Sequence, residues 1–145
     1  MADQGQRILL AEDDRFLRKA AETTLKRHGF AVVTAIDGED ALRGIQQEAP
    51  DLILLDLIMP RMQGFEVLRR VKADPVTAGI PVIILSNLGQ DRDVERALEA
   101  GAAAYLIKSN LSLDDLVKQV RQALGLSAAP APVAAAPRVG QWAKR

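Results

Sequence analysis

Five polar side chains in this sequence each stand at the end of a short aliphatic run. Glu12 and Asp13 follow the run RILLA, while Asp56, Ser86 and Lys108 end the runs DLILLD, PVIILS and AYLIK. In an open parallel sheet, ligands sit beyond the carboxyl ends of the strands. If the runs are strands of such a sheet, the five side chains converge on one edge and form a candidate site.

The chemistry of this set points to phosphoryl groups. Carboxylates held close together repel one another and favour a bound cation. Oxygen ligands suit Mg²⁺, which keeps several waters and is commonly completed by phosphate oxygens. Lys108 adds positive charge and Ser86 a hydroxyl donor, both suited to phosphoryl oxygens. A carboxylate can itself be the nucleophile, and Asp56, on the middle strand, is the candidate for an aspartyl phosphate.

The elements that must position these side chains are predicted by hydrophobic patterning. Continuous apolar runs typical of strands buried on both faces occupy 7–11, 30–35, 51–56, 81–86 and 104–108. Between them lie amphipathic segments with helix signals: Gly29 ends the first, Asp37 can cap the second, and Ser112 with Asp115 forms a capping box. The β-α order, five times over, predicts an α/β fold, a three-layer α/β/α sandwich around a parallel sheet.

Composition narrows the function classes. The 145 residues favour one domain, and 19 acidic residues balance 19 basic ones, so no global field attracts nucleic acid or an anionic membrane. The absence of cysteine excludes disulfides and thiolate metal sites. The polar N-terminus does not resemble a signal peptide, and no apolar run approaches the ~20 residues of a membrane span. We expect a cytoplasmic protein without membrane insertion or direct nucleic-acid binding.

Four motifs in order, AEDD (11–14), DLIMPRMQG (56–64), LSN (85–87) and AYLIK (104–108), resemble the receiver domain of two-component response regulators. The resemblance covers residues 7 to 126 and implies a flavodoxin-like sheet of order 2-1-3-4-5. It also implies a signalling protein of a phosphorelay, phosphorylated by a sensor histidine kinase or a histidine phosphotransfer protein. Such a domain is mainly a switch, which catalyses its own phosphorylation and dephosphorylation.

The resemblance also implies a role for each acidic residue. Asp56 is the phosphoryl acceptor. Asp13, Asp56 and the backbone carbonyl of Ile58 bind Mg²⁺ directly, and Glu12 acts through a water. Asp14, the next acidic residue, has a simpler interpretation as the cap of the first helix.

Three further residues would carry the response. Lys108 pairs with the phosphoryl oxygens, Ser86 turns its hydroxyl to the phosphate, and Tyr105 is the rotating switch residue, although a fixed packing role for Tyr105 is equally compatible with the sequence. A downstream target would bind the surface of helix 4, strand 5 and helix 5. The receiver itself would be a monomer or a phosphorylation-dependent dimer. His28, beside a helix-ending glycine, is not expected to be a phosphodonor.

The chain departs from the family pattern in two places. Family members usually carry a proline after the strand-five lysine, whereas Ser109 follows here, which favours a trans bond and a different aim for Lys108. Ile58 and Asn87 are bulkier than the usual small or polar neighbours of the acceptor. We expect them to hinder the attacking water and lengthen the life of the phosphoryl group.

Residues 127–145, SAAPAPVAAAPRVGQWAKR, have the composition of a linker or tail. The predicted organisation is therefore a receiver domain over 1–126 and a tail over 127–145. The tail is too short for a DNA-binding output domain, so the receiver is expected to stand alone or to have been separated from its output domain.

Three other interpretations remain. A phosphatase of the haloacid dehalogenase type needs a second acid two residues after its nucleophile, where Ile58 stands. A nucleotide-binding module needs a glycine-rich turn after the first strand, where AEDDRF stands. The strongest alternative is a pseudo-receiver, an interaction module that is not phosphorylated.

Overall fold

The computed structural model describes residues 5–87 and 90–126. In this part of the chain, five strands alternate with five helices, with a short 3₁₀ turn at Lys108–Asn110 before the last helix. The strands are β1 (Arg7–Ala11), β2 (Ala31–Ala35), β3 (Leu52–Leu55), β4 (Val82–Ser86) and β5 (Ala104–Ile107). The helices are α1 (Arg15–Arg27), α2 (Gly38–Glu48), α3 (Gly64–Ala73), α4 (Asp91–Glu99) and α5 (Leu113–Ala123).

All strand pairings are parallel, and the sheet order is β2-β1-β3-β4-β5, which confirms the predicted topology. The register places Ala11 at the end of β1 between Ala35 of β2 and Leu55 of β3. The residues that follow these three therefore leave the sheet side by side. This register brings Glu12 next to Asp56.

Alternation along the strands divides the core into two layers, as the predicted sandwich requires. Leu9 and Ile53 face α2, α3 and α4, while Ile8 and Leu52 face α1 and α5. All four side chains are fully buried. The sheet thus lies between two helical layers.

The prediction that every strand is buried on both faces is wrong for β2. Ala31 and Thr34 are exposed in this strand. The reason is position, because β2 pairs only with β1 and forms one edge of the sheet. Strand boundaries also shift by one residue: β2, β3 and β4 each begin one residue later than predicted. β3 ends at Leu55 and β5 at Ile107, so Asp56 and Lys108 lie just beyond their strands.

The helix signals in the sequence are confirmed by the caps. The Asp14 side chain accepts backbone hydrogen bonds from the first turn of α1, and Asp37 does the same for α2. Ser112 and Asp115 form the predicted capping box of α5. Gly29, which follows α1, has a φ of 95°, a left-handed conformation that glycine adopts without a steric penalty.

Among the described residues, no helix is both long and apolar enough to cross a membrane. The predicted tail, 127–145, lies outside the described residues. Its assignment as a tail or linker therefore stays a prediction, as does the domain boundary at residue 126.

Candidate functional site

The carboxyl edge of the sheet contains an open depression of about 410 Å³. It is lined by acidic residues, one cation and three uncharged side chains: Glu12, Asp13, Asp14, Asp56, Ile58, Ser86, Asn87 and Lys108. The structure thus brings together the five polar residues that the sequence placed at strand ends. Ile58, the predicted carbonyl ligand, also lines the depression, whereas Tyr105 of β5 is buried and does not line it.

Three carboxylates form the centre of the depression. Glu12, Asp13 and Asp56 each offer an oxygen within 4.8 Å of the others. Glu12 is fully buried and Asp56 is 3% exposed, whereas Asp13 is exposed to solvent. Burial raises the pKa of Glu12 to about 7, and the charge of Asp56 adds to this effect, while pairing with Lys108 opposes it.

Lys108 neutralises part of this charge. Its Nζ lies 2.9 Å from Asp56 Oδ2 and 2.8 Å from Glu12 Oε1. Burial alone lowers the pKa of Lys108, but pairing with Glu12 and Asp56 outweighs burial and holds the pKa above its usual value. The described residues contain no cis peptide bond, so the bond to Ser109 is trans, as predicted. Lys108 reaches Asp56 with this trans bond in place.

The backbone of the neighbouring strands fixes the two buried carboxylates. The Glu12 N–H donates to Ala35 O at 3.0 Å, and the Asp56 N–H donates to Ala11 O at 3.0 Å. Glu12 Oε2 accepts from the Asp14 N–H at 3.0 Å. The backbone of both acids is therefore fixed by hydrogen bonds that continue the parallel ladder just past the strand ends.

Arg18, which the sequence did not indicate, also holds the acidic loop. Its Nη1 donates to Glu12 O at 2.8 Å and to Asp13 O at 3.4 Å. The sequence signal for this role is a basic residue close to the N-terminus of α1, where Arg18 is the fourth residue of the helix. A cation is unfavourable near a helix N-terminus unless an acidic or carbonyl group lies within its reach.

The loop from β3 to α3 begins at the candidate acceptor. The Ile58 N–H donates to Asp56 Oδ1 at 3.2 Å, and the Gly64 N–H donates to Leu57 O at 2.9 Å. A Cβ at Gly64 would clash with the backbone carbonyl of Asp56, so only glycine allows this close return. The Ile58 side chain is 55% exposed beside the acceptor.

Ser86 and Tyr105, the predicted switch residues, are both buried, each with 1% of its surface exposed. Their side chains share a hydrogen bond. Burial raises the pKa of Tyr105 to about 12, the Ser86 hydrogen bond opposes this, and the charge of Asp93 on α4 adds to it. Tyr105 is therefore turned inward in this structure and linked to the site through Ser86.

Comparison with known proteins decides the family. The family model of the response regulator receiver domain matches residues 8–121. The chain belongs to this family. The match decides against the dehalogenase-type phosphatase and the nucleotide-binding module, and it confirms the resemblance carried by the four motifs.

Two curated relatives are longer than this chain. A gliding motility regulatory protein of Myxococcus xanthus is 42% identical over 114 residues, 79% of this chain and 15% of that protein. The transcriptional regulatory protein AfsQ1 of Streptomyces coelicolor is 44% identical over 101 residues, 70% of this chain and 44% of that protein. The chain thus spans less than half the length of these two relatives.

This chain is similar to solved structures of response regulators over nearly the whole length of those structures. The receiver domain of the Francisella response regulator 1452 is 29% identical, with a TM-score of 0.77, covering 83% of this chain and 98% of that one. The chemotaxis response regulator CheY4 of Vibrio cholerae is 27% identical, with a TM-score of 0.76, covering 81% of this chain and 98% of that one. The flavodoxin-like fold of order 2-1-3-4-5 is confirmed.

Family membership gives the coarse function. The protein is a receiver domain of two-component signal transduction, a class that interacts with histidine kinases and downstream targets. Receiver domains typically bind Mg²⁺ through an acidic cluster, and the described residues contain such a group at Glu12, Asp13 and Asp56.

Proposed function

We propose that this receiver domain accepts a phosphoryl group on Asp56 from a histidine kinase or a histidine phosphotransfer protein. The observation that carries the proposal is the buried Asp56 carboxylate, held at 2.9 Å from Lys108 Nζ beside two further acids. A carboxylate oxygen of Asp56 attacks the phosphorus, the P–N bond of the donor phosphohistidine breaks, and the imidazole nitrogen keeps the electron pair. The product is an aspartyl phosphate.

The acidic group fits Mg²⁺ by its chemistry. All of its ligand atoms are oxygens, and they lie close enough to share one ion. Glu12 Oε1 faces Lys108 and, among the described residues, accepts no hydrogen bond of regular geometry. We assign Asp13, Asp56 and the Ile58 carbonyl as direct ligands and Glu12 as a ligand through water. A bound Mg²⁺ would offset the negative charge of the phosphoryl oxygens.

Lys108 balances charge before and after transfer. It pairs with the Asp56 carboxylate in the structure described here. Because its pKa is raised, it remains a cation throughout the physiological range. After transfer, the same Nζ is available to a phosphoryl oxygen on Asp56. Transfer therefore needs only positioning and charge neutralisation around an in-line displacement.

The same site supports a switch. A phosphoryl oxygen on Asp56 would compete with Tyr105 for the hydroxyl of Ser86. Moving Ser86 toward Asp56 would shift the loop after β4 and change the surface of α4, β5 and α5, including Asp93, whose charge acts on Tyr105. We propose that a downstream protein binds this surface. Phosphorylation would then act by shifting the population between two states of the surface.

The proposal is tested by intact mass after incubation with acetyl phosphate and Mg²⁺. We expect the wild-type protein to gain one phosphoryl group and Asp56→Asn to gain none. If the folded wild-type protein binds Mg²⁺ but gains no phosphoryl group from acetyl phosphate or from a histidine kinase, the chain acts as a pseudo-receiver. Gain of the group in Asp56→Asn would show that another residue is the acceptor.

A further inference from the structure

The middle of the β3–α3 loop rests on the N-terminus of α2. The Met62 N–H donates to Pro60 O at 2.7 Å, closing a tight turn, and the Gly38 N–H donates to the same oxygen at 3.5 Å. A Cβ at Gly38 would clash with the Met62 carbonyl oxygen. The first residue of α2 must therefore be very small for the loop to lie where it does.

The residue before Gly38 is a buried acid that contacts the same loop. Asp37 is 5% exposed, and its Oδ1 accepts the Asp40 N–H at 2.8 Å as the cap of α2. Its second oxygen, Oδ2, lies 3.3 Å from Arg61 Nε. One carboxylate thus ties the helix N-terminus to the loop. Because the cap already fixes Asp37, Arg61 has a rigid partner.

Arg61 stands in the left-handed region, with φ at 68°. A residue with a Cβ adopts this conformation at a cost of about 1 kcal/mol or more and usually has a local reason to do so. Exposed ion pairs ordinarily contribute little, because both side chains lose conformational freedom. Here one partner is buried and held by the cap, which favours a larger contribution from this pair to the unusual conformation of the turn.

The turn is connected to the candidate metal site by a short stretch of backbone. Ile58 precedes Arg61 by three residues, and its N–H is held by Asp56 Oδ1. The direction of the Ile58 carbonyl depends on the next peptide units, which lead directly into the turn at Pro60. A change in the turn can therefore alter the direction of the carbonyl that we assign to Mg²⁺.

We propose that Asp37 and Arg61 are a positioning pair, which holds the β3–α3 loop so that the Ile58 carbonyl is directed at Mg²⁺. This inference rests on the proposed function, because it assigns a purpose to the pair only if the acidic group binds the ion. Neither Asp37 nor Arg61 lines the depression. It acts from the α2 side of the sheet, through the loop.

The test is Mg²⁺ affinity, measured by isothermal titration calorimetry on the full chain, together with thermal stability. We expect Arg61→Met and Asp37→Asn to weaken Mg²⁺ binding by about tenfold each, in line with other residues that orient metal ligands. The double variant should bind as weakly as either single one, since both changes break the same contact. Asp37→Asn keeps a capping side chain for α2.

A matched control lies on the same helix. Arg43 of α2 is similarly exposed and pairs at 3.2 Å with Asp40 of the same helix rather than with a residue of the loop. Arg43→Met should leave Mg²⁺ affinity unchanged. Arg61→Gly provides a second control, because glycine relieves the left-handed conformation but removes the pair. It should bind Mg²⁺ as weakly as Arg61→Met while melting at a temperature equal to or above that of Arg61→Met.

The outcomes separate this inference from the proposed function. Wild-type Mg²⁺ affinity in Arg61→Met, or an equal loss in Arg43→Met, would overturn the positioning role alone. A wild-type protein that binds Mg²⁺ but is never phosphorylated would overturn the proposed function, while a tenfold loss in Arg61→Met would still support the pair. A wild-type protein that does not bind Mg²⁺ would overturn both.

Discussion

Glu12 and Glu66 both pair with cations, yet their pKa values move in opposite directions. Glu12, enclosed at the carboxyl edge of the sheet, pairs with Lys108, and burial raises its pKa to about 7. Glu66, on the open face of α3, pairs with Arg69 and Arg70, and these hydrogen bonds lower its pKa to about 2. Glu66 has two cations to itself, whereas Glu12 is buried and shares one lysine with Asp56, and burial is the largest cause of its raised pKa.

The comparison shows that a change of charge has a larger effect at the carboxyl edge of the sheet than on the exposed face of α3. On α3, water screens the ion pairs, and their removal changes little beyond local order. At the carboxyl edge, two buried acids share one lysine, so each added or removed charge is felt strongly by its neighbours. A cation or a phosphoryl group that binds at this edge would therefore change the interactions among Glu12, Asp56 and Lys108.

The largest effect is expected from Lys108→Met. Removal of the buried cation leaves Asp56 without its partner at 2.9 Å and removes positive charge from the transferred group. We expect the rate of phosphorylation by acetyl phosphate to fall about 100-fold, as for other single electrostatic contacts in active sites. Intact mass recorded over time measures the rate. Arg70→Met, which removes an exposed cation, should keep the wild-type rate, and an equal loss in both variants would contradict the comparison.

A smaller effect is expected from pH on Mg²⁺ binding. Glu12 takes up a proton as the pH falls through about 7, whereas metal binding needs the ionised carboxylate. We expect Mg²⁺ affinity to fall by about tenfold between pH 7 and pH 5. In Glu12→Gln the affinity should be lower at pH 7 and nearly flat over this range. Calorimetric titration at several pH values measures both, and an equally steep decline in Glu12→Gln would assign the effect to another group.

The lifetime of the phosphoryl group should depend on the two bulky residues of the depression. Ile58 and Asn87 line it next to Asp56, where a hydrolytic water must approach. We expect Ile58→Asn and Asn87→Ala each to shorten the lifetime by about fivefold, because water reaches the phosphorus more easily. Decay of the phosphorylated mass after removal of the donor gives the lifetime. A longer lifetime in either variant would refute the shielding role.

The smallest effects are expected in stability without Mg²⁺. Because the folded pKa of Glu12 is raised from 4.5 to about 7, Glu12 favours the folded state most below about pH 4.5, and this contribution is lost as the pH rises toward 7. Glu66 has a lowered pKa, so its contribution is present above about pH 4.5 and is lost as the pH falls toward 2.

Urea unfolding at pH 5 and pH 7 separates these two contributions. Glu12→Gln should reduce the difference in the free energy of unfolding between the two pH values, and Glu66→Gln should leave this difference almost unchanged. A larger change in Glu66→Gln would mean that the pKa of Glu66 in the folded protein is not lowered as described.

Much of this site could be predicted from local patterns. The strand runs, the caps at Asp14 and Ser112, and the place of Asp56 at a strand end depend on residues close together in the chain. The rule that parallel strands end at one edge then brings distant residues to one site. The sheet order and the acidic group follow from these steps and from the family resemblance.

The remainder depends on contacts that no local pattern encodes. The exposure of Thr34 follows from the edge position of β2, which is a property of the whole sheet. The contacts of Arg18 with the acidic loop and of Arg61 with Asp37 depend on how helices and loops meet in three dimensions. The inward position of Tyr105 depends on its hydrogen bond with Ser86 across two strands.

The central claim is that Asp56 is the phosphoryl acceptor, and the most direct test locates the group on the chain. The protein is phosphorylated with acetyl phosphate and Mg²⁺, and the acyl phosphate is reduced with borohydride, which converts a phosphorylated aspartate to homoserine. Peptide sequencing by tandem mass spectrometry then finds the modified residue. We predict homoserine at position 56 and at no other aspartate. Homoserine at Asp13 or Asp14, with an unchanged Asp56, would contradict the account.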